Sequence, residues 1–389
     1  MRVTHVITRL IVGGAQENTV ATVLGLRQKA DVQVRLISGP TAGPEGSLEP
    51  GVKEIPGLLT VVPELVRPVQ PFKDVVALQK LATLLRAQCP DIVHTHSGKA
   101  GVLGRLAARR AGVPVIIHHI HGPSFGPFQG PLSNLFFGAA ERLAGRVTTH
   151  FICSAQAMSR IYLAAGIGRP EMFTRIFSGF DLKPFLEAGN SRALRQQLGL
   201  PADAFVIGKV ARLFNLKGHE DLFAAVYRLL PRCPRARLLL VGDGPLRPRL
   251  ERRARAMDLK DKIVFAGLVP PVEVARYVGV MDCLAHLSSR EALSRALPQA
   301  LAAAKPVVAY DFDGADEICL ENQTGFLVRS GDVGGVAQRL FELAEDAALR
   351  ERLGLCGREF VRQHFVVEKM VDAIYHLYRQ LTAAKTPEP

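Results

Sequence analysis

Ser288-Ser289-Arg290-Glu291-Ala292-Leu293-Ser294-Arg295-Ala296-Leu297-Pro298-Gln299 is the stretch around which the chain is organised. Upstream of it, the apolar run Gly279 to Leu287 reads as a short buried strand. Downstream, the Ala/Leu-rich segment Ala296 to Ala304 reads as a helix that Lys305-Pro306 ends, and Val307 to Tyr310 reads as the next strand. A strand–loop–helix–strand unit in a parallel sheet opens its loop at the carboxyl edge, where ligands bind. The free N–H groups at the start of the helix can hold an anion. Glu291 and Gln299 bracket the turn, so a carboxylate and an amide can each hydrogen-bond a hydroxyl-rich ligand there.

Length and composition bound what surrounds this unit. The 389 residues exceed one ordinary core, so two domains are expected. Apolar content of 48% with 22% charged residues fits a folded globular chain and excludes extensive disorder. No run approaches the ~20 apolar residues that cross a bilayer, and Met1 to Ile7 reads as a first strand rather than a signal segment. Cys89, Cys153, Cys233, Cys283, Cys319 and Cys356 show no CxxC spacing and read as reduced thiols of a cytoplasmic protein. The net charge of +13 is concentrated in residues 1–185, where 20 basic and 11 acidic residues leave +9. Nucleic acid is a poor partner for this charge, because aromatics are 6% and tryptophan is absent. A peripheral contact with an anionic membrane fits better.

Earlier in the chain, Arg2 to Leu10 reads as a strand running into Gly13-Gly14, a turn where backbone can approach a ligand. Asp31 to Ser38 is a second strand, residues 39–73 a long irregular connection, and Phe72 to Gln88 a helix. Two short strands, Asp91 to His96 and Val113 to Ile117, flank a basic helix through Arg105, Arg109 and Arg110. His94, His96, His118, His119 and His121 gather at the ends of these strands. With no acid or cysteine at a metal spacing, no metal site is expected, and packing is the default role for the first four. Residues 182–203 read as a linker, and a second α/β unit starts at Phe205. There Arg212 and Lys217, five apart at a strand end, can both reach one diphosphate.

The order of these pieces resembles the retaining nucleotide-sugar glycosyltransferases of the GT-B fold, family four. Their Glu-x7-Glu motif is matched by Glu291, with Gln299 in place of the second acid and Ala292 in place of the usual glycine. His121-Gly122 matches the family's His-Gly pair, Arg212-Leu213 through Lys217-Gly218 its Arg-Leu-x-x-x-Lys-Gly motif, and Gly242-Asp243-Gly244-Pro245 its following turn. The resemblance implies two facing Rossmann-like domains, α/β throughout, with an interdomain cleft and a carboxyl-terminal helix crossing back. The acceptor-side domain is expected over 1–184 with helix 366–385, the donor domain over 185–365, and Thr386 to Pro389 as a frayed end.

The same resemblance implies transfer of a sugar, with retention, from a UDP- or GDP-linked donor to a saccharide or lipid-linked acceptor in cell-surface glycan assembly. No cofactor and no metal is implied. His121 and Glu291 would be catalytic. Gly13, Gly14, Arg212, Lys217, Gly267, Leu268, Ala292, Leu293, Ser294 and Gln299 would bind substrate, with Gly267-Leu268 meeting the base through backbone groups. A sugar-nucleotide epimerase of the same fold, or a silent nucleotide-sugar-binding subunit, are the alternatives. The expected location is cytoplasmic, peripheral at the inner membrane face.

Overall fold

The structure is a computed structural model describing residues 1–41, 43, 46–126 and 128–384. The expected frayed end and Lys385 lie outside the described residues. The chain divides into two units, Met1–Phe180 with Val366–Pro389, and Asp181–Phe365.

The first unit holds seven parallel strands: β1 (Arg2–Ile7), β2 (Gln33–Ser38), β3 (Leu59–Val61), β4 (Ile92–His96), β5 (Val115–Ile120), β6 (His150–Cys153) and β7 (Phe173–Arg175). Their order is β3-β2-β1-β4-β5-β6-β7, so the winding reverses between β1 and β4. β4 and β5 are buried along their whole length, as strands covered on both faces must be. One face packs Val3, Ile7, Ile92, Val115 and Ile117 under the helices Gly14–Leu26 and Val367–Ala383. The other packs Val6, Ile37, Val93 and Ile116 under Pro71–Gln88 and Gly98–Arg110.

The helix Val367–Ala383 buries Met370, Val371, Ile374, Leu377 and Tyr378, the i, i+1, i+4, i+7, i+8 stripe of an amphipathic helix. Val371 lies close enough to Gly25 that a Cβ there would meet it at 2.5 Å, so a glycine lets the two helices close.

Several boundaries differ from the sequence reading. β5 runs to Ile120, so His118 and His119 lie inside the strand rather than after it. The connection 39–73 contains a helix, Glu49–Lys53, and the edge strand β3. The linker 182–203 contains the helices Lys183–Leu186 and Arg192–Gln197. Gly279 ends a helix, Val274–Gly279, and the strand begins only at Cys283. Arg105 does not belong to the basic surface. It is fully buried and pairs with buried Glu141 at 2.5 Å, while its Nε donates to the Gly101 carbonyl.

The second unit holds six parallel strands: β8 (Phe205–Val210), β9 (Ala236–Val241), β10 (Ile263–Gly267), β11 (Cys283–His286), β12 (Val307–Asp311) and β13 (Gly325–Arg329). The order β10-β9-β8-β11-β12-β13 reverses the winding between β8 and β11. Its core joins Phe205, Ile207, Leu238, Leu240, Val308 and Phe326 with Leu222, Phe223, Val226, Val336 and Leu340 of the covering helices. All six cysteines are free thiols.

Candidate active site

In a doubly wound sheet the loops on either side of the reversal diverge and leave a crevice at the carboxyl edge. In the second unit those are the loops after β8 and β11. Leu216 accepts backbone and side-chain hydrogen bonds from Ser289 (2.9 Å from its nitrogen), and Lys217 Nζ forms an ion pair with Glu291. Gly218, which starts the helix His219–Leu229, has φ +66°, and a Cβ there would lie 1.9 Å from the Leu287 carbonyl. Only glycine lets the two loops approach in this way. Thus the backbone sets Lys217 against Glu291 before any ligand arrives.

Around that pair the cations outnumber their partners. Arg212 stacks on the Phe214 ring at 4.8 Å and makes no ion pair among the described residues. Lys209, on β8, is buried and its Nζ has no hydrogen-bond partner among the described residues. Burial lowers its pKa to about 7, with the nearby Lys217 charge acting the same way. Sequence reading passed over Lys209. The signal was a lysine within the otherwise apolar strand Phe205–Val210. His219 and His286 are held below their ordinary pKa chiefly by burial, with Lys209 adding. The Glu291 N–H donates to Asp313 (2.8 Å), whose carboxyl is raised by burial and by the Glu291 charge.

Ala292 is buried, Leu293 and Ser294 are half-buried, and Ser294 Oγ lies 3.4 Å from His286 Nδ1. The helix that follows spans Ala296–Ala302, and Gln299 sits in its first turn, half-buried, with no side-chain hydrogen bond to described residues. The sheet therefore sets Arg212, Lys217, Glu291 and the 292–294 turn on two adjacent loops, with Gln299 on the helix that follows the second. Gly267 ends β10, two strands from β8, and Leu268 follows it, 71% exposed.

The first unit builds a different edge. Register pairs His5 with His94 and His96 with His119, and alternation puts all four on one sheet face. His118 pairs with Thr95 and faces the other way. His121, half-buried just beyond β5, stacks on His119 with centroids 4.0 Å apart. Its Nε2 lies 3.0 Å from His96 Nδ1, and His96 Nε2 lies 2.9 Å from His5 Nδ1. Tyr378 Oη reaches His94 Nδ1 at 2.5 Å and His5 Nε2 at 3.4 Å. Burial lowers His5 and His121 to about 3, and burial followed by neighbouring histidines pushes His94, His96 and His119 well down. The cluster is neutral. Two trios, His5-His94-His96 and His96-His119-His121, place ligand nitrogens within 4.8 Å of one another, a distance a metal ion can bridge.

Gly13 precedes the helix Gly14–Leu26 with φ 171°, an extended conformation open to any residue. A Cβ there would meet only the end of the Gln16 side chain, at 2.9 Å.

The family described as "Glycosyl transferases group 1" matches residues 190–360, and the "Glycosyl transferase 4-like domain" matches residues 13–174. A UDP-Gal:alpha-D-GlcNAc-diphosphoundecaprenol alpha-1,3-galactosyltransferase of Escherichia coli is 30% identical over 331 residues, covering 83% of this chain and 84% of that protein. The chain belongs to the group 1 glycosyltransferases. An alpha-monoglucosyldiacylglycerol synthase of Acholeplasma laidlawii is 26% identical over 73% of each chain. The solved structure of Anabaena HepE in complex with UDP and glucose superposes with TM-score 0.82 at 24% identity, over 98% of this chain and 100% of that one. A sucrose-phosphate synthase from Thermosynechococcus elongatus superposes with TM-score 0.80 at 21% identity, over 99% and 100%. This glycosyltransferase therefore has the two-domain α/β GT-B fold, and the epimerase and silent-subunit alternatives are not favoured.

Proposed function

We propose that this glycosyltransferase moves a hexosyl group from a UDP-sugar to a hydroxyl of a saccharide carried on a lipid diphosphate, with retention at the anomeric carbon and without a metal. The observation that carries this reading is the Lys217–Glu291 pair at the β8/β11 reversal, with Arg212 and buried Lys209 beside it. A departing diphosphate gains charge as its bond to the sugar lengthens. Preorganised cations stabilise that change more than they stabilise the bound donor, which is what lowers a barrier.

In this reading Arg212 and Lys217 hold the diphosphate, with the N–H groups of Leu293 and Ser294 adding to them. Glu291, oriented by Lys217 and by its own N–H bond to Asp313, takes a sugar hydroxyl. Gln299 accepts a ribose hydroxyl, Gly267-Leu268 meets the base, and Gly13-Gly14 and His121 belong to the acceptor side. The C1–O bond to the diphosphate breaks, the C1–O bond to the acceptor forms on the same face, and the acceptor proton passes to the departing phosphate. UDP is preferred over GDP because the 30% identical relative is named for UDP-Gal.

That relative's name and the diacylglycerol relative's name also support a lipid-linked acceptor and a cytoplasmic, peripheral-membrane site of action. No described helix is long and apolar enough to cross a membrane. The first unit instead exposes Phe72 (90%), Leu132 (84%) and Leu135 (66%) at the starts of two helices that flank Gly98–Arg110. Arg67 and Lys73, five residues before and one after Phe72 in the chain, are also exposed. Apolar side chains among basic ones are what an anionic bilayer surface holds.

Incubation with UDP-galactose, UDP-glucose or UDP-GlcNAc and a diphosphate-linked acceptor, read by NMR of the product and repeated with EDTA, tests the reading. An α-anomer that forms equally fast in EDTA is expected. Inversion, or release of UDP independent of acceptor, would overturn it.

A further inference from the structure

Lys209 interrupts an otherwise apolar strand. On β8 it alternates with Phe205 and Ile207, which lie in the core beneath the helix His219–Leu229, so its side chain enters that same face. It is buried, and its Nζ has no hydrogen-bond partner among the described residues. The loop carrying Arg212 and Lys217 runs from the end of β8 to the start of that helix, where His219 Nε2 lies 3.1 Å from the Arg212 carbonyl. Lys209 therefore lies beneath the loop whose cations are assigned to the diphosphate.

A buried amine without a partner weakens a fold, because its charged form loses hydration and gains nothing in return. The groups around Lys209 do not supply that partner. Burial lowers its pKa to about 7, the Lys217 charge acts the same way, and Glu291 and Asp221 act against them. Glu291 is already paired with Lys217, and Asp221, on the helix, accepts a hydrogen bond from the Tyr310 hydroxyl at 2.8 Å. His219 and His286 are held below their ordinary pKa by burial, with Lys209 adding, and the register partner on β9 is apolar Leu240. An entering diphosphate changes this balance. It brings negative charge to the loop above the amine, and an opposite charge nearby favours the ammonium.

We propose that Lys209 is a positioning residue of the donor site that takes up a proton when the diphosphate binds, adding a cation beneath the Arg212–Lys217 loop only while the donor is in place. The inference rests on the reading of Arg212 and Lys217 as the diphosphate site. The bound state then holds more protons than the free state. Affinity for UDP is therefore greatest below the free-state pKa of about 7 and falls as pH rises above it, by up to about tenfold per pH unit.

The test is calorimetry of UDP binding at about pH 8 in Tris and in HEPES, buffers that exchange different heats with each proton. The wild type is expected to take up about one proton per UDP, and Lys209→Met about none. Between about pH 7.5 and 9 the wild type is expected to lose UDP affinity roughly several-fold per unit, whereas the variant stays level. Without ligand, Lys209→Met is expected to melt at a higher temperature than the wild type, since it removes an unpartnered amine and keeps the length of the side chain. A lysine with a purely structural role would lower stability when removed and leave the proton count unchanged.

UDP bound by the wild type without proton uptake would overturn the role of Lys209, and that count decides even if the variant does not fold. So would an uptake unchanged in Lys209→Met. In both cases the donor reading stands, whereas a wild type that does not bind UDP would overturn that reading and this role together.

Discussion

The two units share a plan and differ in what they put at the same place. Each is a parallel sheet that reverses its winding beside its first strand, at β1/β4 in one and β8/β11 in the other. The second unit fills that edge with charge, in Lys217, Glu291, Arg212 and a buried lysine. The first fills it with neutral imidazoles joined by hydrogen bonds. A diphosphate calls for fixed cations, whereas a hydroxyl is met by neutral hydrogen-bonding groups. On the proposed function, similar backbones would thus serve the two chemically different partners of a glycosyl transfer.

Acid should separate the units most strongly. His5, His94, His96, His118 and His119 are buried with pKa values depressed below the unfolded value of about 6.5. The second unit has His219 and His286 in that position. The unfolded state binds the extra protons, so the stabilisation is complete above about pH 6.5 and is lost as pH falls below it, at up to about 1.4 kcal/mol per pH unit for each ring. Pepsin pulses between pH 6 and 4, mapped by mass spectrometry, should release first-unit peptides first. Second-unit peptides appearing first would break the contrast.

The next effect separates structural charge from functional charge. Arg105→Ala leaves the buried Glu141 carboxyl without its ion-pair partner, and a loss of about 3–5 kcal/mol in denaturant unfolding is expected. Lys217→Ala is expected to leave stability nearly intact, because its pair is partly exposed, and to lower kcat by about 10²–10³. A Lys217 variant that mainly unfolded would make that pair a scaffold. The smallest effect is Gln299→Glu. A charged acceptor for the ribose hydroxyl should keep or tighten donor binding, by about 1–2 kcal/mol at most in a donor titration. Abolished activity would remove position 299 from the site.

How much of this was legible in the sequence also differs between the units. The strand and turn pattern after Phe205 put Arg212, Lys217 and Glu291 at strand ends, because short motifs there survive errors of a residue or two in strand length, and the strand order then made their loops adjacent. The imidazole chain depends on register, which a single sequence does not carry. Ending β5 at Ile117 left His118 and His119 looking like loop residues, whereas pairing to Ile120 sends them to opposite faces. His5 and Lys209 were visible as polar residues inside apolar strands, but the partner of His5 lies 373 positions away, on the carboxyl-terminal helix. Arg105 looked like surface charge because nothing local marks Glu141 as its partner.

The division of labour is tested most directly by titrating UDP into the wild type, Lys217→Ala and His121→Gln by calorimetry, with kcat measured on the same samples. Lys217→Ala is expected to weaken UDP binding by more than about tenfold, and His121→Gln to bind UDP as the wild type does while losing turnover. Equal loss of UDP affinity in both variants, or none in Lys217→Ala, would contradict it.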